Sequence, residues 1–486
     1  MSTILFSHSY YYKMDSKQWN TKMAYPPLGT IYAASFLREN GYNVDLFDVG
    51  LKDSPKEIDS LLTSKSPEFL VLYDDGFNYL TKMCLTNMRE AAFEMIKLGK
   101  QAGCTVIVSS SDSTDHFQLY LDEGADIVLL GEGEISLLET IQKIEKNEPL
   151  EDVKGIVYKE EEEIRNNGRR PVLRELDILP LPAWDLIDIE AYKDRWTPNK
   201  PFALNIATTR GCPYKCNWCA KPIYGNRYNS RSPEKVVEEI KLLSNNYGVS
   251  NFWMCDDIFG LKPNWVQEFD KELKKENLKI TYKIQSRADL LLKEDNIDAL
   301  VSSGLKEVWI GAESGSQRIL DAMDKGTKIE QIEKSTQLLQ RKGVKVAFFI
   351  QYGYLGETKE DIDKTIELIK RLKPDDIGIS VSYPLPGTKF YETVSSQMTG
   401  KKNWEDSDDL AMMFTGTFNK EYYKKLHRYT HYVYNKTIGL RNIKTVFKNP
   451  FSISGKKLKS LLKLPLNFYL VWKGKSELRQ LENTNL

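Results

Sequence analysis

The sequence predicts an α/β protein of several domains: an open, doubly wound sheet, then a six-unit partial barrel, then a mainly helical C-terminal extension. Three observations carry this. Residues 1–147 alternate short apolar runs with stretches of helical spacing, the pattern of a parallel sheet covered on both faces. Residues 201–395 repeat a strand followed by a helix six times. Residues 396–486 are helical, aromatic and basic in character. A chain of 486 residues with 41% hydrophobic and 11% aromatic content is large enough for real cores.

In the N-terminal region, strands are expected at Ile4–Ser7, Asn43–Val49, Phe69–Tyr73, Thr105–Ser109 and Ile127–Leu130. Helices are expected at Leu28–Asn40, Ser54–Thr63, Met83–Gln101, Thr114–Asp122 and Ile135–Ile144. Gly41 is a good stop for the first of these. Such sheets bind ligands beyond the carboxyl ends of their strands. Those ends carry Tyr73-Asp74-Asp75-Gly76, Ser109-Ser110-Ser111-Asp112 and Gly131-Glu132-Gly133-Glu134.

Residues 148–200 read as a linker. Lys154–Lys159 and Arg170–Leu173 are expected to pair as a hairpin across Asn166-Asn167-Gly168, with Glu160–Glu163 a solvated turn. Leu179-Pro-Leu-Pro-Ala-Trp184 is too proline-rich for a helix or an inner strand.

The barrel strands are expected at Phe202–Thr208, Asn251–Cys255, Ile280–Gln285, Glu307–Gly311, Lys345–Tyr352 and Asp376–Ser382. The intervening helices are expected at Pro233–Leu243, Trp265–Lys275, Glu294–Val301, Ile329–Arg341 and Lys359–Arg371. Ser232 followed by Pro233 is a helix start, an N-cap hydroxyl before a proline in the first turn.

After the first barrel strand comes Ala207-Thr-Thr-Arg-Gly-Cys-Pro-Tyr-Lys-Cys-Asn-Trp-Cys-Ala220, which places Cys212, Cys216 and Cys219 in one loop with C-x3-C-x2-C spacing. Thiolates are soft ligands suited to iron–sulfur clusters or zinc. A structural zinc site wants four ligands, and the histidines are only His8, His116, His427 and His431. Three thiolates on a [4Fe–4S] cluster leave one iron open for a substrate or cofactor. A zinc site closed by Cys255, or three ordinary buried thiols, are the alternatives.

This loop resembles the signature of the radical S-adenosylmethionine superfamily. The resemblance implies that the catalytic cysteines Cys212, Cys216 and Cys219 hold a [4Fe–4S] cluster, whose open iron is chelated by S-adenosylmethionine and whose electron cleaves it to a 5′-deoxyadenosyl radical. It also implies a partial (β/α)6 TIM barrel whose strand ends bind that cofactor. Asp256 and Asp257 follow the second strand, where the family binds the methionine amino group. Ser286 and Arg287 follow the third, and the planar fork of an arginine suits a carboxylate. Glu313 follows the fourth, placed for ribose hydroxyls or the amino group. Gly353-Tyr-Leu-Gly-Glu357 and Tyr383-Pro-Leu-Pro-Gly-Thr388 follow the last two and permit close approach to adenine. By the same resemblance, Trp218 is expected to pack on adenine or shield the cluster. Capping acids, a surface ion pair and turn glycines are the plain structural readings of these residues, and Cys255 reads as a small core residue.

Residues 1–147 resemble the Rossmann-like cobalamin-binding domain that precedes many such enzymes, on Pro26-Pro27-Leu28-Gly29 and Asp126-Ile-Val-Leu-Leu-Gly-Glu-Gly-Glu134. The family's cobalt-ligating Asp-x-His-x-x-Gly is absent, so the resemblance implies cobalamin held without a histidine ligand. Ser109, Ser110 and Ser111 stand where the family has Gly-Gly, at the corrin tail pocket. A domain of purely structural role is the alternative. Lys402-Asn-Trp-Glu-Asp406 resembles a segment of the subfamily containing the anaerobic magnesium-protoporphyrin monomethyl ester cyclase. The implied chemistry is hydrogen abstraction from an unactivated carbon, with methyl transfer expected if cobalamin binds and ring formation or rearrangement as the second reading. A non-catalytic zinc or iron–sulfur scaffold is the reading of another class. An electron donor such as flavodoxin or ferredoxin is implied as partner.

In the extension, Glu421–Asn435 reads as an aromatic-rich helix on which His427 and His431 pack rather than bind metal. Arg441 to Lys475 holds nine Lys or Arg, no Asp or Glu, and interleaved Leu, Phe, Tyr and Trp. That is the composition of a membrane-surface segment or of a packed tail with a basic outer face. It points to a lipid or other apolar natural product as substrate. Lys+Arg and Asp+Glu both number 68, so nothing in the net charge calls for nucleic acid. The start Met-Ser-Thr-Ile-Leu-Phe has no basic leader and the chain has no spanning stretch, which is expected of a cytoplasmic protein.

Overall fold

The computed structural model describes residues 2–398, 400, 402–448 and 455–484. The N-terminal sheet holds β1 (Thr3–Ser7), β2 (Asn43–Phe47), β3 (Phe69–Tyr73), β4 (Thr105–Ser109), β5 (Ile127–Leu129), β6 (Ile156–Glu160) and β7 (Glu163–Asn166). Its order is β2-β1-β3-β4-β5-β6-β7, parallel through β5 and antiparallel beyond. The run FLVLY of β3 is buried at every position, because helices cover both faces of this inner strand.

Two expectations are corrected here. The hairpin pairs Ile156–Glu160 with Glu163–Asn166, not with Arg170–Leu173. The tight turn falls at Glu161, which takes φ +54°, and the hairpin extends the first sheet instead of standing in a linker. The single helix expected at Thr114–Asp122 is two, Ser111–Asp115 and Phe117–Asp122, broken at His116. Ser110 and Ser113 form a reciprocal cap that starts the first of these early.

The barrel begins with β8 (Leu204–Ile206). A short β9 (Thr209–Arg210) then pairs antiparallel with β10 (Asn229–Ser230). The barrel continues with β11 (Asn251–Met254), β12 (Thr281–Ser286), β13 (Leu305–Glu313), β14 (Lys345–Tyr352) and β15 (Asp376–Val381). Six parallel strands lie in chain order, β8-β11-β12-β13-β14-β15, each joined to the next by helical crossovers. Helix Pro233–Tyr247 starts at the Ser232 cap, whose hydroxyl accepts from Lys235 N, and ends on Gly248 at φ +66°.

The extension forms helices Lys420–Lys448, Gly455–Leu462 and Leu464–Thr484. The first and last run antiparallel, with Lys425 paired to Glu477 and Gly439 packed on Leu464. Residues 449–454 of the basic run lie outside the described residues. The rings of His427 and His431 stack edge-on with centroids 4.7 Å apart, and burial pushes His427 down to about 4.

Before these helices, residues 402–409 cross back over the first domain. Trp404 O accepts from Thr86 N (2.9 Å), Asn403 Nδ2 donates to Cys84 O (2.5 Å), and Ser407 Oγ donates to Asp15 (2.8 Å). Trp404 itself is 2% exposed and donates its indole N–H to Ala411 O.

Candidate functional site

The cysteine loop leaves the carboxyl end of β8, where parallel barrels place their chemistry. Asp256, at the end of β11, fixes its root. Its carboxylate accepts from Thr208 N (2.7 Å), Thr209 N (2.9 Å) and Thr208 Oγ1, and burial pushes it up to about 7. Gly211 sits at φ +79°, and a Cβ there would stand 2.4 Å from Arg227 O, so the turn into Cys212 admits only glycine.

Cys212 is buried, Cys216 and Cys219 are half-buried, and all three are free thiols. Burial raises Cys212 and pushes Cys219 up to about 11, with Lys221 opposing and the neighbouring cysteines adding to the rise. A cationic centre is what would draw three such thiols into their thiolate form. Cys255 is buried and donates to Ile206 O at 3.4 Å. Among the described residues no three His, Cys, Asp or Glu converge as ligands of a lone metal ion. A soft, threefold donor set fits an iron–sulfur cluster with one iron open.

The loop is pinned to the later strands. Asn217 N donates to Met323 O (3.1 Å), Phe390 N donates to Asn217 O (3.0 Å), and Tyr354 donates its hydroxyl to Asn217 Oδ1 (2.8 Å). Trp218 packs beside Ile319, Met323, Tyr354 and Phe390, and its buried Nε1 has no partner.

The other expected residues ring the same mouth. Asp257 pairs with Lys82 of the first domain (2.7 Å). Ser286 is buried and its Oγ has no partner, so the site holds a spare hydroxyl. Arg287 is 5% exposed and already engaged. It contacts Asp289 (3.0 Å) and Lys325 O (2.8 Å), and its guanidinium lies 3.7 Å over the ring of Tyr214 in the cysteine loop. Glu313 takes φ +57° beside a register shift between β13 and β14, which aims its carboxylate at Lys325 (2.7 Å).

Ser109, Ser110 and Ser111 lie apart from this group, at the end of β4, and all three are buried. Ser111 Oγ has no partner. Asp112 beside it is held by Arg89 through two 2.6 Å bonds and by Tyr120. A cavity of about 370 Å³ opens between this end of the first domain and the end of β15, walled by Arg89, Asp115, His116, Tyr383, Pro384 and Lys402. That size falls among small-molecule sites.

Sequence reading did not connect four residues to the site. Arg210, two positions before Cys212, reaches across the domain boundary to Glu132 (2.5 Å) and Glu134 (2.7 Å), and all three side chains are at most 6% exposed. Lys82 and Lys325 bring cations to Asp257 and Glu313. Glu357, fully buried, accepts from Gly353 N (2.6 Å), leaves Oε1 without a partner, and is pushed up to about 8 by burial. Arg210, Glu132, Glu134 and Glu357 lie inside the strand-end segments, yet no spacing rule pairs Arg210 with Glu132, 78 positions away.

Residues 206–369 match the Radical SAM superfamily. An uncharacterized methyltransferase of Pyrococcus horikoshii is 28% identical over 449 residues, 90% of this chain and 94% of that protein. The anaerobic magnesium-protoporphyrin IX monomethyl ester cyclase of Rubrivivax gelatinosus is 25% identical over 77% of this chain and 67% of its own. The structure of the cobalamin-dependent S-adenosylmethionine radical enzyme OxsB, with aqua-cobalamin and S-adenosylmethionine bound, matches with a TM-score of 0.72. That match covers 95% of this chain and 70% of that one at 17% identity, a likeness of fold.

Proposed function

For a chain that carries a radical S-adenosylmethionine domain, we propose cobalamin-dependent methylation of an unactivated carbon in a small-molecule substrate. The observation that carries this is the meeting of two ligand-binding edges. The three-thiol loop stands at the carboxyl end of the barrel, and the strand ends of the doubly wound domain are joined to it through Arg210–Glu132 and Lys82–Asp257.

When bound, the cluster and S-adenosylmethionine supply a hydrogen-abstracting 5′-deoxyadenosyl radical, and cobalamin supplies the methyl group. Cys212, Cys216 and Cys219 hold the cluster. Asp257 offers a carboxylate to the methionine ammonium, for which an anionic acceptor is the strong partner. Asp256 acts behind it, holding the loop root through Thr208 and Thr209. Ser286 gives its spare hydroxyl to the cofactor. Arg287 supports Tyr214 of the loop, and Glu313 with Lys325 forms the far wall. Trp218 shields the cluster side from water. Ser109, Ser110 and Ser111 accommodate the corrin tail by their small size, with Ser111 Oγ free to bond it. The cavity between the two domains takes the substrate.

The cyclase relative favours a second reading, oxidative ring formation or rearrangement without methyl transfer. We place the enzyme in the cytoplasm, supplied with electrons by a flavodoxin or ferredoxin, touching the inner face of the membrane through its basic extension and acting on an apolar natural product or lipid. Anaerobically purified protein should contain iron and sulfide and no zinc; zinc alone would make it a scaffold. Reconstituted with hydroxocobalamin, it should keep the corrin through gel filtration with a base-off spectrum. Exclusion of cobalamin with continued 5′-deoxyadenosine formation would put the ring-forming reading first.

A further inference from the structure

Large apolar side chains are exposed unevenly over this protein. Seven of the ten exposed among the described residues lie between Leu440 and Trp472. Leu458, Leu462, Leu466, Tyr469 and Trp472 recur every three or four positions along helices Gly455–Leu462 and Leu464–Thr484, so they share one face. Leu462 is 74% and Trp472 70% exposed. Lys459, Lys463, Lys473 and Lys475 are exposed beside them, in a run from 441 to 475 that contains no acid. Among the described residues Lys473 alone of these four has a carboxylate near it, Glu477 at 3.9 Å, and apolar side chains flanked by exposed lysines match the two layers of an anionic bilayer surface, acyl chains below and phosphates above. Among the described residues no helix is long and apolar enough to cross a membrane.

The inner side of these helices shows where the stripe sits. Leu464 packs on Gly439, and Ser460 accepts from Asn442 (2.8 Å). Just before and after Gly439, Tyr434 donates to Asp375 O (2.6 Å) and Arg441 donates to Lys373 O (3.0 Å). Lys373 and Asp375 precede β15, so the Leu464 end of the stripe lies at the amino-terminal end of the barrel strands, and the helix then runs up the barrel's flank beyond Trp472, where Gly474 packs on Tyr429. The cysteine loop, Asp257, Ser286 and Glu313 all belong to the opposite end.

We propose that the stripe from Leu458 to Trp472 docks the protein on an anionic bilayer with the barrel mouth turned away from the headgroups, so that substrate arrives from the aqueous side. This rests on the membrane contact of the proposed function and names the face that makes it; it does not depend on the reaction catalysed.

The test uses the full-length protein and vesicles of phosphatidylcholine with or without phosphatidylglycerol. Co-sedimentation should require phosphatidylglycerol and weaken as salt rises. Leu462→Glu with Trp472→Glu should lower the bound fraction about tenfold at unchanged iron content, since both side chains are exposed and fold without burial. A nitroxide on Leu466→Cys should become shielded from an aqueous relaxation agent on vesicles, while one on Lys402→Cys stays accessible. Shielding at both positions would overturn the orientation and leave the contact standing. No binding, or equal binding to neutral vesicles, would overturn the contact itself. A concentration-dependent dimer abolished by the double variant, without vesicle binding, would make the stripe a self-association face and overturn the proposal.

Discussion

Arg210→Met should destabilise the protein by about 3–5 kcal/mol, the usual cost of leaving a buried charge unpaired. The wild-type guanidinium meets Glu132 at 2.5 Å and Glu134 at 2.7 Å, with side-chain exposures of 4%, 6% and 2%. The second oxygen of Glu134 has no other partner. Water cannot replace the cation there, so two carboxylates face each other in a dry boundary. Burial already pushes Glu132 up, with Arg210 opposing. Without the arginine its folded-state value rises further above the unfolded one. The deficit should therefore be small below the unfolded carboxylate range and grow as pH rises through the new folded value. Urea unfolding followed by tryptophan fluorescence should show a midpoint lower by about 1–2 M, taking a slope of roughly 2–3 kcal/mol per M for a large chain. Iron content per chain should fall as well, because Arg210 is two residues from Cys212. Adding Glu132→Gln and Glu134→Gln should restore most of the loss, since a neutral boundary has no charge to strand. A midpoint unchanged in the single variant, or a triple variant no better than the single, would refute the reasoning.

Three other outcomes follow from the same geometry. Cys212→Ala, Cys216→Ala or Cys219→Ala should each abolish the brown chromophore and S-adenosylmethionine cleavage, whereas Cys255→Ala should keep both; a colourless Cys255→Ala protein would reassign the ligands. Asp257→Asn should weaken S-adenosylmethionine binding roughly tenfold to a hundredfold, the worth of one charge-assisted hydrogen bond; an unchanged equilibrium Kd would remove Asp257 from the site. Glu357 has a folded-state value raised to about 8, so its contribution is whole below the unfolded range and is lost as pH rises towards about 8. Glu357→Gln should gain stability relative to wild type across that window, and parallel thermal-unfolding curves for the two proteins would show that the carboxyl is not buried as described.

Much of this architecture was legible because parallel strands announce themselves. The helices at Trp265–Lys275 and Ile329–Arg341 begin and end where their apolar spacing does. The cysteine loop was legible because its ligands are neighbours in the chain. Glu161 shows where local reading fails. Asn166-Asn167-Gly168 is the better turn sequence, yet the chain turns at a glutamate, because pairing of Ile156–Glu160 with β5 decides the register. Arg287 shows a second limit. Its residue type suited a free carboxylate, but Asp289, two positions on, already occupies its fork. The Arg210 triad and the Lys82–Asp257 pair were invisible for a simpler reason: each joins residues from different domains, and no periodicity spans that distance.

The crossing at residues 402–409 bears on how such proteins can be taken apart and recombined. Trp404, Glu405 and Ser407 complete hydrogen bonds that belong to the first domain, at Thr86, Asn87 and Asp15. The unit that would move as a piece is therefore split in the gene: the N-terminal sheet together with a short stretch encoded some 240 residues after that sheet's last strand, Glu163–Asn166. A chimera that exchanges only the N-terminal segment would carry a foreign surface under the native crossing and lose the fit of Asn403 and Trp404. One that exchanges residues 402–409 along with it keeps both halves of the seam matched.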